Sequence, residues 1–282
     1  MVISHQIQGW KIHHQEQLQY RAKAGSPSIR LKFFHYPNYH QIVHIDKYPQ
    51  LCKVKTKGEN AFFLFQQKVH TKGVISLERI VTIYPKTFFV NIEDDWGKIS
   101  DIPEALRTKY QENSIYWPTK SPTIQEITKS AWFKTDDLSQ WVQTAFRYVR
   151  TKIKHPENQD ERLGAFQAFM GEIGDCDEFT DLFITLARMR GIPCKRLTGY
   201  YIRDNGTRVE AHAWGEILSP KMSWITVDVA LNNLGNHSIN YVIQKIEEFN
   251  PTLSDYQIQT KHPTTVHYEW HKPELIVSPV YL

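Results

Sequence analysis

Gly174-Asp-Cys-Asp-Glu-Phe-Thr-Asp-Leu-Phe183 is the stretch on which the reading of this chain turns. Phe179, Leu182, Phe183 and Leu186 recur at helical spacing on one face, and Gly191-Ile-Pro193 stops the run with glycine followed by proline. At its front, Asp175 is a natural N-cap, and Glu178 occupies the reciprocal capping position three residues on. The spacing predicts a helix with Cys176 in its first turn. Free amides and partial positive charge at such an end favour a thiolate, which is the form of cysteine that attacks carbonyls. Asp177 and Glu178 oppose that effect, so a neighbouring imidazole is needed.

Downstream, three segments read as strands: 195–203, 209–218 and 223–229. Asp204-Asn-Gly206 joins the first two as a hairpin. His212 falls on the middle strand, where alternation puts it on one side with Glu210, Trp214 and Glu216. Asp228 falls near the end of the third. Antiparallel pairing of these strands would bring the carboxylate beside the imidazole, fixing its tautomer while the other ring nitrogen faces the thiol. Cys194, entering a strand after Pro193, and Cys52, in an earlier one, read as core thiols. Trp214 and Trp224 read as core of the sheet.

These blocks resemble the transglutaminase-like superfamily. Gly174 through Phe183, Ala187-Arg-Met-Arg-Gly-Ile-Pro193 and Thr198-Gly-Tyr200 are similar to its nucleophile block. His212-Ala-Trp214 with Glu216 is similar to its histidine block, and Trp224 through Asp228 to its aspartate block. The resemblance covers about residues 123–235. Val229 departs from a frequent proline, and Gly215 from a frequent apolar residue. The resemblance implies a papain-like α+β core, with the nucleophile helix packed on an antiparallel sheet. It implies Cys176 as nucleophile, His212 as general base and acid, and Asp228 as orienter. The activity it implies is acyl transfer from an amide of a protein or peptide through a thioester, with hydrolysis the simpler outcome and transglutamination the other. A catalytically idle binding scaffold is the alternative, and an amidase similar to peptide:N-glycanases ranks below both. The calcium-binding features of animal transglutaminases are not evident, so neither metal nor cofactor is expected.

Upstream, the grammar changes. Ile29-Arg-Leu-Lys-Phe33 alternates apolar and basic residues, and further strands are predicted over 41–45, 52–55, 61–69, 74–84 and 88–92. Asn, Gly and Pro break these segments, which suggests a β-sandwich-like domain over 1–117, ahead of a catalytic domain over 118–282. Prolines around Tyr116–Thr123 mark the linker. Beyond it, a helical stripe runs from Leu138 to Ile153, with Thr135 or Asp136 as cap, and a second helix is expected over Arg162–Met170. Strands are also expected at Tyr256–Thr260 and Thr265–Trp270.

Charge is uneven along the 282 residues. The first 122 hold 17 Lys/Arg against 10 Asp/Glu, and the rest 17 against 20. With no run of five or more, the basic residues read as a solvated sheet face rather than a nucleic-acid surface. Three cysteines without a C-x-x-C pair disfavour a zinc site or a disulfide framework. His40-Gln-Ile-Val-His44 has zinc-like spacing but falls on a predicted strand and lacks the Glu of a metalloprotease helix. Neither a membrane-length apolar run nor a secretory signal is visible, so a cytoplasmic location is expected. For an oxyanion hole, the Cys176 amide is the first donor, with Gln167 or a tryptophan as candidates for the second.

Overall fold

Seven strands come first along the chain: β1 (Ile7–Ala22), β2 (Ser28–His35), β3 (Gln41–Lys47), β4 (Cys52–Lys57), β5 (Asn60–Lys68), β6 (Lys72–Pro85) and β7 (Phe88–Phe89). Five α-helices follow: α1 (Glu104–Tyr110), α2 (Pro122–Thr128), α3 (Leu138–Lys152), α4 (Ala165–Gly171) and α5 (Cys176–Met189). The remaining strands are β8 (Cys194–Arg203), β9 (Arg208–Ser219), β10 (Ser223–Asp228), β11 (Asn233–Leu234), β12 (Asn236–His237), β13 (Tyr241–Glu247), β14 (Tyr256–Thr260) and β15 (Val266–Tyr281). The structure is a computed structural model that describes residues 6–22, 28–69, 71–156, 161–249, 256–260 and 266–281. Among them, no helix is long and apolar enough to cross a membrane.

The first half is a two-sheet sandwich. One sheet has the order β15-β1-β6-β3 and the other β14-β2-β5-β4. Alternation drives Leu31, Phe33, Phe63 and Phe65 inward, where they meet Leu18, Tyr20, Ile75 and Leu77 of the facing sheet. The 16-residue β1 carries no signal in the sequence reading, because it is rich in Gln and His. Its even positions from Trp10 to Tyr20 are nonetheless buried, and two of them, His14 and Glu16, are polar. Arg79 of β6 accounts for both. Its guanidinium bonds His14 Nδ1 (2.6 Å) and Glu16 Oε1 (2.7 Å). The two C-terminal strands, placed by sequence with the catalytic half, add to these sheets: β14 pairs with β2 and β15 with β1, in which Ile7 stands opposite Tyr281.

The second half packs helices on an antiparallel sheet of order β11-β10-β9-β8-β13. Trp141, Leu182, Phe183, Leu186, Ile217 and Val227 fill the space between them. Helix α3 is capped by Asp137, which accepts from the Gln140 amide at 2.8 Å, one residue beyond the two candidates read from sequence. The segment expected as a linker runs into the start of the short α2, and 88–92 forms only the two-residue β7. Trp214 is fully buried, whereas Trp224 is half-buried beneath Lys195, whose Nζ lies 4.0 Å from the indole.

One edge of this sheet, β13, is closed by side chains instead of a strand. Gln41 donates to the Ile243 carbonyl (2.7 Å) and accepts from the Ile243 amide (2.9 Å). Asn60 does the same to Ile246, at 2.7 and 2.8 Å. Two carboxamides thus imitate a neighbouring backbone, satisfy the exposed ladder and fasten the sandwich to the five-stranded sheet.

Candidate active site

Helix α5 starts as the sequence predicts. Asp175 accepts from the Asp177 amide at 2.8 Å, and Glu178 reaches back to the Asp175 amide at 3.2 Å. Glu178 also accepts from Leu163 N at 2.6 Å, which ties the start of α4 to that of α5. Gly174 is required here, since a Cβ at that position would overlap Glu178 Cβ. The Asp175 carboxylate takes the amides at the second and third helical positions. The amide of Cys176 itself, at the first, stays outside the cap.

His212 sits on β9, opposite Gly199 of β8. Thr180, one turn after Cys176, donates to the carbonyl of Ala213 at 3.1 Å, and the Ala213 amide is directed at the Cys176 sulfur. Helix start and histidine strand are thereby stitched together. Cys176 and His212 line one cavity of about 550 Å³. His212 Nε2 lies 2.7 Å from Asp228 Oδ2, and a carboxylate only accepts, so Nε2 carries the proton and Nδ1 is not engaged by Asp228.

Asp228 is fully buried and multiply held. Its Oδ1 accepts from the Leu231 amide at 3.0 Å, and its Oδ2 from the Tyr241 hydroxyl at 2.8 Å as well as from His212. Asn233 in turn donates to the Tyr241 oxygen at 2.8 Å. Burial, together with the Asp228 charge, raises the Tyr241 phenol well above its ordinary range, so it remains a donor. Tyr241 was not legible from sequence, because it lies outside the three motif blocks.

The thiol's surroundings disfavour its ionised form. Burial first, then the Asp177 and Asp175 charges, push Cys176 up to about 12, against the Ala213 amide and Arg196. A buried ion network lies alongside. Arg196 bonds Asp177 (2.6 Å), Asp181 (3.3 Å) and Glu247 (3.0 Å). Arg162 grips both oxygens of Asp181, at 2.6 and 2.7 Å, and Trp117 Nε1 adds a third bond to it at 2.8 Å. Burial disfavours the Arg196 charge, but the three carboxylates outweigh burial and hold it firmly cationic. An Asp at 181, on a helix face shared with Asp177, Thr185 and Arg188, was the available sequence signal for this network.

Other expected residues lie elsewhere. Gln167 is exposed on α4, and neither it nor Trp214 lines the cavity. His14, on which the sequence was silent, lies in the cavity wall. His40 faces Glu216 at 3.4 Å, while His44 is exposed on β3. Asp175, Cys176 and Asp177 bring donor atoms within 4.8 Å of one another, but Asp175 is committed to helix amides and Asp177 to Arg196. Cys52 and Cys194 are buried free thiols, pushed up by burial to about 11 and about 12.

The family model described as the transglutaminase-like superfamily matches residues 119–229. The uncharacterised protein YebA of Bacillus subtilis strain 168 is 29% identical over 96 residues, which cover 30% of this chain and only 13% of YebA's length. Among solved structures, a candidate cysteine protease from Cytophaga hutchinsonii aligns with a TM-score of 0.66 at 15% identity, over 97% of this chain and 92% of that one. The two share the mixed α+β architecture across both halves. The periplasmic domain of TgpA from Pseudomonas aeruginosa, solved with ethylmercury, aligns at a TM-score of 0.38 and 11% identity, over 80% of this chain and 90% of that domain.

Proposed function

We infer that this chain, which belongs to the transglutaminase-like superfamily and has its papain-like α+β fold, hydrolyses amide bonds of proteins or peptides through a thioester on Cys176. The observation that carries this reading is the 2.7 Å bond between His212 and Asp228, with the remaining imidazole nitrogen left for a cavity that also holds the helix-start thiol.

The chemistry follows from these groups. His212 Nδ1 takes the thiol proton as the sulfur attacks the carbonyl carbon. Negative charge that develops on the carbonyl oxygen meets the uncapped Cys176 amide. His212 then returns the proton to the leaving amine, and the C–N bond breaks to give the thioester. Water, deprotonated by the same imidazole, attacks the thioester and releases the acid and the thiol. Asp228 holds the ring and stabilises its charged form throughout. An amine in place of water would give transglutamination.

Incubation with casein and a fluorescent amine separates the outcomes. Casein fragments that vanish in Cys176→Ala support hydrolysis, and amine incorporation supports transfer. One observation favours a second reading, an idle scaffold. A thiol held up to about 12 is inert unless His212 takes its proton. Iodoacetamide distinguishes the two. Labelling of Cys176 far faster than of Cys52 and Cys194, and slowed by His212→Ala, supports the enzyme. Equally slow labelling of all three, with casein and amine both untouched, overturns it.

A further inference from the structure

The outward face of the β14-β2-β5-β4 sheet carries charge of one sign. Alternation places Arg30 and Lys32 of β2, Lys53, Lys55 and Lys57 of β4, and Lys68 of β5 on that face, with Phe33, Phe63 and Phe65 turned to the core and Phe34 and Phe62 on the same face as the cations. These three strands contain no Asp or Glu. Among the described residues, no carboxylate pairs with any of the six cations. Five of the six are exposed, and Lys32 is half-buried. Arg30, Lys32, Lys53, Lys55 and Lys68 line an open trough of about 840 Å³.

The trough runs on toward Cys176. Lys32 Nζ lies 3.9 Å from the centre of the Phe62 ring, and Phe62 packs against Phe34 at 4.7 Å. Phe34, four residues along the strand from Arg30, is itself in the wall of the cavity that holds Cys176 and His212. Four strand residues span about 13 Å, roughly the length of four residues of extended peptide.

We propose that this basic face is the docking surface for an acidic segment of the polypeptide substrate, several residues along the chain from the amide that Cys176 attacks. The proposal rests on the peptide-directed reading of the active site and names its substrate class. Three features select a polypeptide. β4 is a sheet edge, so its free backbone groups can pair with an extended chain. Lys53, Lys55 and Lys57 repeat at the two-residue period of carboxylates on such a chain. The two aromatics nearest the cations, Phe62 and Phe34, are buried and offer no platform for a nucleobase.

The 282-residue chain carrying Cys176→Ala binds without turnover, so docking is read independently of catalysis. Fluorescence anisotropy would compare labelled oligoglutamate, oligoglutamine, a single-stranded oligonucleotide of matched charge and phosphatidylserine vesicles. The expected result is a preference for oligoglutamate that weakens with salt and falls roughly tenfold in Cys176→Ala carrying Lys53→Glu and Lys55→Glu. In the chain that retains Cys176, the same two substitutions leave iodoacetamide labelling of Cys176 unchanged, which shows the catalytic pocket intact. Binding that ignores the two substitutions overturns the proposal. Preference for the oligonucleotide or the vesicles also overturns it, in favour of a nucleic-acid or lipid surface. Loss of Cys176 reactivity in the wild-type protein would instead refute the reading of the active site and leave the anisotropy result standing.

Discussion

Tyr241→Phe removes one hydroxyl and nothing else from the network behind the imidazole. In the native arrangement Asp228 accepts three hydrogen bonds, from His212, Tyr241 and the Leu231 amide. Deleting one bond to a buried carboxylate costs about 1.5–3 kcal/mol. Only the part of that cost felt more strongly in the transition state slows the reaction, and that part is large here, because the imidazolium forms as the thiol gives up its proton. The expected loss in Cys176 alkylation rate, and in amide hydrolysis, is about ten- to a hundredfold. Cys52 and Cys194 serve as internal controls in the same tube, since a general loosening of the fold would speed their labelling. Combination with Asp228→Asn sharpens the test. If Tyr241 acts through Asp228, the double variant is scarcely slower than Asp228→Asn alone. A multiplicative loss in the double variant, or an unchanged rate in Tyr241→Phe, would refute the reasoning.

Three further outcomes are expected. Gly199→Ala drives a Cβ into the Val242 carbonyl oxygen across the β8–β13 pair, so urea denaturation should show about 3 kcal/mol less stability with little change in slope. Arg196→Met strips a buried cation from Asp177, Asp181 and Glu247 and should cost about 3–5 kcal/mol in the same assay. Glu216, fully buried against Tyr39, His40 and Lys195, is raised by burial from 4.5 to about 7, so across that interval the folded chain binds more protons at this site than the unfolded one. Its contribution therefore subtracts stability as pH rises, on the order of 3 kcal/mol once pH exceeds 7, and Glu216→Gln should gain relative to wild type over that window. Buried His14, His35 and His237 and half-buried His40 are depressed below 6.5 and act in the opposite direction, so the variant must be compared with wild type at each pH.

What could be read from the sequence was local. The capping box around Cys176, the stop at Gly191 and the hairpin at Asp204-Asn-Gly206 each rest on contacts within a few residues, and each is present. The nearness of His212 to Asp228 followed from strand pairing across a short turn. Features that depend on distant partners stayed hidden. The alternation of β1 is masked because His14 and Glu16 answer to Arg79, more than sixty residues away. Asp181 makes sense only beside Arg162, Arg196 and Trp117. The destination of β14 and β15 could not be inferred either, because each pairs with a strand more than two hundred residues earlier.

That last pairing bears on how the molecule is made. A chain emerging from the ribosome presents β1 and β2 early, yet their outer neighbours are translated more than two hundred residues later. The segment with the cysteine helix and its sheet is therefore complete before the sandwich acquires its last two strands. The outer edges of β1 and β2 must therefore wait, prone to stray association, until those later strands are made.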